Sequence, residues 1–290
     1  MPFPFQALPA LVLLMVCSNA FSETDAPARR ILVHGHRGAR ALRPENTLPA
    51  FQYAIDQGVD VLELDMAVTR DDVIVISHDP HMNPAICQGP GGETAIHKLS
   101  LEQVRQWDCG ALKNPAFPRQ QPVPGTRMPT LEEVFDLAAP SRVELNIETK
   151  IDPRTPELAP DPLTFARLVV DAVRKHRLER RVIVQSFDFR TLKEVRKLAP
   201  EIRLSALYEG TPKPFPAIAR DAGGVEIISP HYSLVTPEQV RAAHDAGLQV
   251  VPWTANTPDV WERLAAAQVD AIISDDPAAL IAWLKERNLR

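Results

Sequence analysis

The feature that most restricts the fold of this chain is a regular alternation of short apolar runs with amphipathic helical stretches, beginning at Arg30. Eight runs are rich in β-branched residues, and they are ILVHGH (31–36), VLELDMA (61–67), RVELNIETK (142–150), RVIVQSF (181–187), IRLSALY (202–208), VEIIS (225–229), LQVVPWT (248–254) and DAIISDD (270–276). Helical stretches such as PLTFARLVVDAVRKHR and TPEQVRAAHDAG lie between them. Strand–helix alternation of this kind predicts a parallel sheet.

The number of these units indicates the architecture. Eight strand–helix units within a chain of 290 residues match a (β/α)8 TIM barrel in both count and length. We therefore predict a single barrel domain over residues 30–290, and an open, doubly wound sheet is the alternative that the same alternation allows. The formal net charge of -5 gives no support for a nucleic-acid partner, because no broad basic surface is available.

One departure from the alternation predicts a β-hairpin after the second strand. The run VIVISHD (73–79) follows the second strand after only TRDD, which is too short for the crossover that parallel strands require. The two runs must therefore pair antiparallel, with a turn near Arg70–Asp72. This pairing brings His78 back towards Glu63 and Asp65.

A second departure is the segment 80–128, which is rich in Pro, Gly and Gln around one weak helical stretch, SLEQVRQWDCG. We interpret it as an inserted loop or small subdomain over the barrel mouth, since long irregular connections are usually functional. The alternative is a surface addition without a role in the site. The segment holds Cys87 and Cys109, a candidate disulfide that the sequence alone leaves open.

The N-terminal residues predict export. The stretch ALPALVLLMVCSNA (7–20) contains an apolar run of about ten residues, typical of a secretory signal and too short to span a bilayer. Ser18 and Ala20 are small residues at the positions that a signal peptidase reads. We therefore expect residues 1–20 to be a cleaved signal peptide and the mature protein to be periplasmic or secreted, without stable membrane insertion. A retained membrane anchor is the alternative.

Acidic side chains accompany the predicted strand ends, where barrel active sites are formed. Glu63 and Asp65 are two residues apart and so point to the same side of a strand, and Glu148 and Lys150 repeat this arrangement. Three converging carboxylates need a positive charge among them. A divalent cation is one solution, and oxygen ligands favour Ca²⁺ or Mg²⁺. The alternative is a structural salt-bridge layer formed with Lys150 and Arg37.

Two histidines can flank this acidic cluster. His36 ends the first strand and the hairpin returns His78, so that the pair can serve as general acid and general base. Arg37 and Lys150 are cationic donors suited to an anionic group such as phosphate. A cation, two basic side chains and two histidines together indicate phosphodiester cleavage.

The sequence resembles the glycerophosphodiester phosphodiesterase family, in its exported bacterial form. The motifs that carry the resemblance occur in family order, and they are HRGARALRPENTL (36–48), ELD (63–65), SHD (77–79), IETK (147–150), QSFD (185–188), PWT (252–254) and ISDDP (273–277). The resemblance implies a barrel in which His36 and His78 are the acid/base pair. It also implies that Glu63, Asp65 and Glu148 bind the divalent cation. Arg37 and Lys150 would then bind the phosphate.

The implied reaction is the metal-dependent hydrolysis of a small-molecule glycerophosphodiester to sn-glycerol 3-phosphate and an alcohol. Glu45 and Asn46, in the PENT segment, would support the site, and Asn46 is also a candidate N-cap of the following helix. Trp253 would wall the pocket for the glycerol moiety, with a barrel-core position as the alternative. Trp107 and Trp253 are candidates for contact with a quaternary ammonium head group.

Two other functions remain open from the sequence. Barrels with a similar triad and histidine pair also cleave lysophospholipids or sphingomyelin in the manner of phospholipase D, and an apolar lining on residues 80–128 would favour that activity. A non-catalytic, exported glycerophosphodiester-binding protein is the third candidate, although such a protein has no need of a proton-transfer pair. The sequence does not determine the head group, the preferred cation, the role of each histidine, the choice between attack by water and a cyclic phosphate, or the oligomeric state.

Overall fold

The computed structural model describes residues 1–4 and 30–290, so the predicted signal peptide, from its fifth residue onward, lies outside the described residues. The described chain forms one sheet, and its strands are β1 (Leu32–Gly35), β2 (Val61–Val68), β3 (Ile74–Ile76), β4 (Glu144–Thr149), β5 (Val182–Ser186), β6 (Arg203–Tyr208), β7 (Ile227–Pro230), β8 (Gln249–Val250) and β9 (Ala271–Ser274). Within residues 1–4 and 30–290, no helix combines the length and apolar character needed to cross a bilayer.

Eight of these strands run parallel and form a barrel. Their order is β8, β7, β6, β5, β4, β2, β1 and β9, with β3 attached to β2 outside this path. Backbone hydrogen bonds join the two ends of the sheet, since Asp270 N–H donates to Val250 O and Ile273 N–H donates to Pro252 O, each over 3.0 Å. The prediction of a TIM barrel is confirmed, and the alternative of an open, doubly wound sheet is wrong.

Helices alternate with the parallel strands and pack around them. Those of four residues or more are α1 (Leu48–Gln57), α2 (Leu101–Val104), α3 (Leu131–Ala138), α4 (Pro162–Lys175), α5 (Phe189–Leu198), α6 (Phe215–Asp221), α7 (Pro237–Asp245), α8 (Pro258–Ala266) and α9 (Pro277–Glu286). Side-chain caps define several starts, such as the capping box of Thr130 with Glu133 at α3. α1 ends at Gly58, whose left-handed backbone (φ 81°) suits a residue without Cβ.

The two sides of each strand have different environments. On β2, Leu62, Leu64 and Met66 belong to the large apolar core between the barrel and its helices. The barrel interior holds a smaller apolar cluster, which consists of Ile183, Ile227, Val251, Ala271 and Ile273. Polar and acidic side chains fill the rest of the interior around β1, β2, β4 and β5. The candidate functional groups therefore lie in this part of the barrel.

The predicted hairpin is present. β3 pairs antiparallel with β2, and Met66 and Val68 lie opposite Ile76 and Ile74. The chain turns through Asp72, which adopts a left-handed conformation (φ 59°) that Asp tolerates better than most residues. As β3 ends, the backbone N–H of residue 77 donates to the carbonyl of residue 65 over 2.9 Å, so the loop after β3 begins beside the acids of β2.

The segment 80–128 has a small apolar core of its own. Cys87 and Cys109 form a disulfide within it, across a sequence separation of 22 residues. In the chain-entropy account, a loop of that length stabilises the folded state by about 3 kcal/mol. Trp107 is buried in this core and only 5% exposed, so the suggestion that it contacts a substrate head group is wrong.

The insertion packs against the loop that follows β1. Gln120 is buried there and donates its amide to Arg40 O at 2.7 Å and to Arg43 O at 3.1 Å. Asn114 Nδ2 donates to Glu45 Oε2 at 3.3 Å. The insertion therefore lies beside the carboxyl ends of the barrel strands, on the side of β1 and β2.

His34 gives the fold a specific dependence on pH. It is 2% exposed inside the barrel, and burial lowers its pKa to about 3 although Asp60 acts in the opposite direction. The unfolded chain binds the proton near pH 6.5, so between about pH 6.5 and 3 acid favours unfolding by up to about 1.4 kcal/mol per pH unit. We expect His34→Gln to remove this part of the slope in urea unfolding from pH 4 to 7. The exposed His81→Gln is the control, and equal slopes in all three proteins would contradict the assignment.

Candidate active site

The acidic triad is assembled by adjacent strands at the mouth of the barrel. Glu63 and Asp65 project inward from β2, and Glu148 projects from β4 as the register partner of Asp65. All three are buried, and one carboxylate oxygen from each lies within 4.8 Å of the others. The sequence spacing therefore brings the predicted acids together as expected, with only oxygen atoms facing one another.

The three carboxylates of the triad are buried close together, so their negative charges are not fully compensated. Burial raises the pKa of Glu63 well above its usual range, and the neighbouring Asp65 adds to the effect. Burial also raises the pKa of Glu148 to about 7, although Lys150 acts against it. Burial acts in the same direction on Asp65, but Arg37 and Lys150 outweigh it and hold the pKa of that carboxyl far below its usual range. The site therefore favours added positive charge.

Two cationic side chains supply part of that charge. Lys150 Nζ lies 2.9 Å from Glu148 Oε1 and 3.8 Å from Asp65 Oδ1. Arg37 Nε lies 3.2 Å from Asp65 Oδ2. Asp65 and Glu148 thus belong both to the predicted salt-bridge layer and to the candidate cation site. The three acids keep the geometry of a cation site while these ion pairs are present.

Arg37 also acts through its backbone. It adopts a left-handed conformation (φ 49°), which is uncommon for a residue with a Cβ atom and concentrates at functional sites. This conformation directs its N–H to Glu63 Oε2 at 2.9 Å. The guanidinium meanwhile donates from Nη1 to Glu45 Oε1 at 2.6 Å. Arg37 therefore orients the Glu63 carboxylate through its backbone N–H and places its positively charged guanidinium beside the triad.

Asn46 supports the triad and does not cap the helix. Its Nδ2 donates to Asp65 Oδ2 at 2.9 Å, from a left-handed backbone (φ 56°). The N-cap of α1 is Thr47, whose side chain accepts from Ala50 N. The interpretation of Asn46 as an N-cap is therefore wrong by one residue, because the chain turns at Asn46 before the helix begins.

His36 lies at the end of β1 and has a carboxylate partner from the far end of the chain. Its Nδ1 donates to Asp275 Oδ1 at 2.5 Å, and its Nε2 lies 3.9 Å from Glu63 Oε2. Asn256 Nδ2 donates to the other oxygen of Asp275 at 2.7 Å. Burial lowers the pKa of His36 although Asp275 opposes this, which favours the neutral ring with its Nε2 turned towards the triad.

His78 approaches the triad from the hairpin. Its Nδ1 donates to Asp79 Oδ1 at 2.9 Å, and Asn83 Nδ2 donates to Asp79 Oδ2 at 2.7 Å. Its positive form is close enough to lower the pKa of both Asp65 and Glu148. Its side chain is 37% exposed, so one face is open to the mouth of the barrel.

Trp253 lies across the mouth, after β8. Its Nε1 donates to Ser229 O at 2.8 Å, which fixes the indole against the barrel. Phe187 and His231 stand edge-on to it, with ring centroids 5.4 Å and 5.3 Å away. The indole is half-buried and packs on the interior apolar cluster. Trp253 thus makes the predicted core contact, and its place as a wall of the glycerol pocket stays a prediction.

Several residues around the site were missed by the sequence reasoning. Asp275 and Asn256 hold His36, and Asp79 holds His78. Asp275 could have been found, because the ISDDP motif ends β9, and β9 pairs with β1 directly beside His36. Asn256 stands in a loop without a motif that distinguishes it from other asparagines.

The contact between His36 and Asp275 leads to a prediction. Asp275→Asn removes the charge that favours protonated His36 and weakens the selection of the Nε2-unprotonated tautomer. We expect kcat to fall by about 10²-fold or more, and the acid limb of the kcat/KM profile to move to lower pH, since the pKa of His36 falls further. Asp276→Asn, one residue along, keeps the cap of α9 and is the control. An unchanged pH profile in Asp275→Asn would contradict this role.

A parallel barrel whose mouth gathers acids, basic side chains and two carboxylate-held histidines has the features of the barrel enzymes that act on phosphoric diesters. A profile of the glycerophosphoryl diester phosphodiesterase family matches residues 36–279, most of the chain. The chain therefore belongs to this family and is a phosphoric diester hydrolase.

Relatives match along nearly their whole length. A glycerophosphodiester phosphodiesterase of Caldanaerobacter subterraneus subsp. tengcongensis is 32% identical over 259 residues, which cover 89% of this chain and 99% of the relative. A glycerophosphodiester phosphodiesterase of Bacillus subtilis is 27% identical over 262 residues, which cover 86% of this chain and 84% of the relative.

Solved structures share the barrel. A Silicibacter pomeroyi protein, provisionally named a glycerophosphoryl diester phosphodiesterase, superposes with a TM-score of 0.83 at 32% identity, covering 90% of this chain and 95% of its own. A phosphodiesterase of Oleispira antarctica, solved with the product sn-glycerol-3-phosphate, superposes with a TM-score of 0.75 at 24% identity and covers 88% of this chain and 96% of its own. The second match supports the fold of this chain.

Proposed function

We propose that this protein hydrolyses glycerophosphodiesters to sn-glycerol 3-phosphate and a free alcohol, with the help of a divalent cation. The observation that carries the proposal is the buried triad of Glu63, Asp65 and Glu148, flanked by His36 and His78, at the mouth of a barrel of this family. The choice of substrate follows the relatives, which are named glycerophosphodiester phosphodiesterases.

The donor set fits a hard divalent cation. Glu63, Asp65 and Glu148 present only carboxylate oxygens, which suit Ca²⁺ or Mg²⁺ better than a metal that prefers nitrogen or sulfur. The raised pKa values of Glu63 and Glu148 are the response of buried carboxylates that lack sufficient positive charge. A bound cation would polarise the phosphoryl group and offset the charge that develops on it.

The two histidines move the protons. His36, whose lowered pKa favours the neutral ring, removes a proton from the attacking oxygen, and Asp275 stabilises the imidazolium that results. The attacking oxygen belongs either to water or to the 2-hydroxyl of the substrate, and in the second case water then opens the cyclic phosphate to give sn-glycerol 3-phosphate. A bond forms between that oxygen and phosphorus as the bond from phosphorus to the alcohol oxygen breaks. His78 donates a proton to the departing oxygen, while Asp79 fixes the orientation of its ring.

The remaining site residues bind the substrate. Arg37 and Lys150 lie within ion-pair distance of the acidic cluster, where a phosphate that approaches the triad gains charge-assisted hydrogen bonds from both. Trp253 offers an apolar wall across the mouth to the glycerol carbons. Phe187, beside it, is 40% exposed and extends this wall towards solvent.

The insertion supports a small substrate over a lysophospholipid or sphingomyelin. Four of its large apolar side chains, Met82, Ile96, Val104 and Trp107, are buried in its own core and so do not line a groove for acyl chains. The carboxylate partners of both histidines support catalysis over simple binding, because a binding protein has no need to orient two imidazoles.

The first experiment measures release of sn-glycerol 3-phosphate from glycerophosphocholine by the mature protein. We expect EDTA to abolish turnover and one of Ca²⁺, Mg²⁺ or Mn²⁺ to restore it. Glycerophosphoethanolamine, glycerophosphoinositol and lysophosphatidylcholine form the substrate panel. Release of free choline together with lysophosphatidic acid would favour the lysophospholipid activity, and no turnover with any substrate and cation would contradict the enzyme proposed here.

We also propose that the protein acts outside the cytoplasm. The apolar run in residues 7–20 and the Cys87–Cys109 disulfide support this, since structural disulfides are typical of oxidising compartments. Expression of the full chain in a bacterium with a periplasm should yield a mature N-terminus close to Phe21 in the periplasmic fraction. An intact N-terminus in the cytoplasmic fraction would contradict export.

A further inference from the structure

Three buried polar side chains beside the acidic triad have no part in the reaction proposed above. His34, Asn146 and Gln185 project into the barrel from β1, β4 and β5, and they are 2%, 1% and 1% exposed. Barrel interiors are usually filled by branched apolar side chains, and a buried amide is unfavourable unless it is hydrogen-bonded. Three polar side chains buried this deeply therefore need a structural or functional reason.

The three side chains form a continuous path to one triad carboxylate. Gln185 Nε2 donates to Glu63 Oε1 at 2.7 Å. Asn146 Nδ2 donates to Gln185 Oε1 at 2.9 Å and lies 3.5 Å from His34 Nδ1. The strand register explains the path, because Asn146 stands level with Glu63 on the neighbouring strand and Gln185 stands level with Glu148.

The hydrogen bonds along this path all donate in a fixed direction, towards Glu63 from Gln185 and towards Gln185 from Asn146. An amide carries a donor end and an acceptor end, so a reversed Gln185 would turn its carbonyl oxygen towards the Glu63 carboxylate. Asn146 prevents the reversal, because its Nδ2 would then face the NH₂ group of Gln185. Asn146 Oδ1 has no hydrogen-bond partner among the described residues, so the donor end of this amide makes both contacts.

Glu63 is consequently held at both oxygens. Gln185 donates to Oε1, and the backbone N–H of Arg37 donates to Oε2 at 2.9 Å. A carboxylate oxygen has more than one lone pair, so each oxygen can still bind a cation after it has accepted one hydrogen bond. These two donors, one at each oxygen, fix the plane of the Glu63 carboxylate.

We propose that Gln185, Asn146 and His34 form a positioning relay that holds Glu63 in the orientation required for cation binding. The three act through Glu63 and do not touch the substrate. This inference rests on the proposed cation site. Residues that orient a metal ligand through a hydrogen bond typically contribute about 10- to 100-fold to metal affinity.

The test is binding of Mn²⁺ to the full mature protein, measured by calorimetry and by the electron paramagnetic resonance of the free ion. Gln185→Met keeps a similar side-chain volume and removes the donor. We expect it to raise the Kd for Mn²⁺ by about 10- to 100-fold. At saturating Mn²⁺ its kcat should return close to the wild-type value. Asn146→Leu, which leaves Gln185 in place but releases its orientation, should raise the Kd by a smaller factor.

A matched control stands on the next strand. Ser205 is the register partner of Gln185 on β6, it is fully buried, and its Oγ has no hydrogen-bond partner among the described residues. Ser205→Ala changes an inward polar residue without touching the path to Glu63, so its Kd should equal that of the wild type. Circular dichroism of each variant checks that the barrel is folded.

The possible outcomes separate the relay from the cation site. If Glu63→Gln abolishes Mn²⁺ binding while Gln185→Met and Asn146→Leu keep the wild-type Kd, the relay is wrong and the proposed site stands. A Gln185→Met variant with wild-type Kd and a kcat that stays low at saturating Mn²⁺ would also overturn the relay. If the wild type binds no Mn²⁺, or Glu63→Gln binds it normally, the proposed cation site is itself wrong.

Discussion

Replacement of either histidine should lower kcat by about 10²- to 10⁴-fold while the fold is retained. His36→Ala removes the side chain that Asp275 orients towards the triad, and His78→Ala removes the proton donor that the hairpin returns to the site. Glycerol 3-phosphate release under saturating substrate and cation gives kcat, and circular dichroism with thermal unfolding checks the fold. The loss should appear in kcat more than in KM, because proton transfer occurs in the transition state.

His81→Ala is the control for both variants. His81 is exposed, it lies in the loop that also holds His78, and its Nδ1 lies 3.3 Å from the hydroxyl of Thr94. Its kcat should match that of the wild type. Near-wild-type rates in His36→Ala and His78→Ala together, with cation saturating, would show that the acid/base assignment is wrong.

Loss of one triad oxygen should have an effect of similar size. Glu148→Gln replaces a ligand oxygen by an amide that binds a hard cation poorly, and a cation that polarises phosphate contributes several kcal/mol, or about 10²-fold or more in rate. Activity with added Ca²⁺, Mg²⁺ or Mn²⁺ is the measurement. The variant should remain folded, because burial already disfavours the charged form of this side chain, and Lys150 retains Asp65 as a second partner at 3.8 Å.

Glu144→Gln supplies the matched comparison on the same strand. Glu144 lies four residues before Glu148 on β4, and it pairs with Arg203 at 2.6 Å, away from the triad. We expect it to keep wild-type activity and the wild-type response to EDTA. If the two variants were equally active and equally sensitive to EDTA, Glu148 would have no part in cation binding.

Short-range spacing accounts for what the sequence predicted correctly. Glu63 and Asp65 share a strand face, so their convergence follows from a two-residue spacing. The hairpin follows from a connection too short for a crossover, and that fixes the approach of His78. The eight parallel strands follow from the alternation of β-branched runs with amphipathic helices, and the family motifs then lie at the carboxyl ends of those strands.

Several partners that are distant in the chain were not predicted. The contact between His36 and Asp275 spans 239 residues, and that between Gln185 and Glu63 spans 122. Closure of the barrel brings each pair together, and the tilt of the strands decides which inward side chains meet. The prediction of Asn46 as an N-cap was wrong for a related reason. Asn46 adopts a left-handed conformation and donates to Asp65, so its side chain is not available to cap the helix.

The insertion leaves the barrel and rejoins it at adjacent points. Ile76 N–H donates to Pro129 O at 2.9 Å, and Val75 forms a bridge with Thr130. Because the two ends already meet, the free-energy cost of closing this segment changes only slowly with its length. The insertion is therefore an exchangeable module, which evolution or an engineer can lengthen, shorten or replace to alter what surrounds the mouth while the register of the eight strands remains the same.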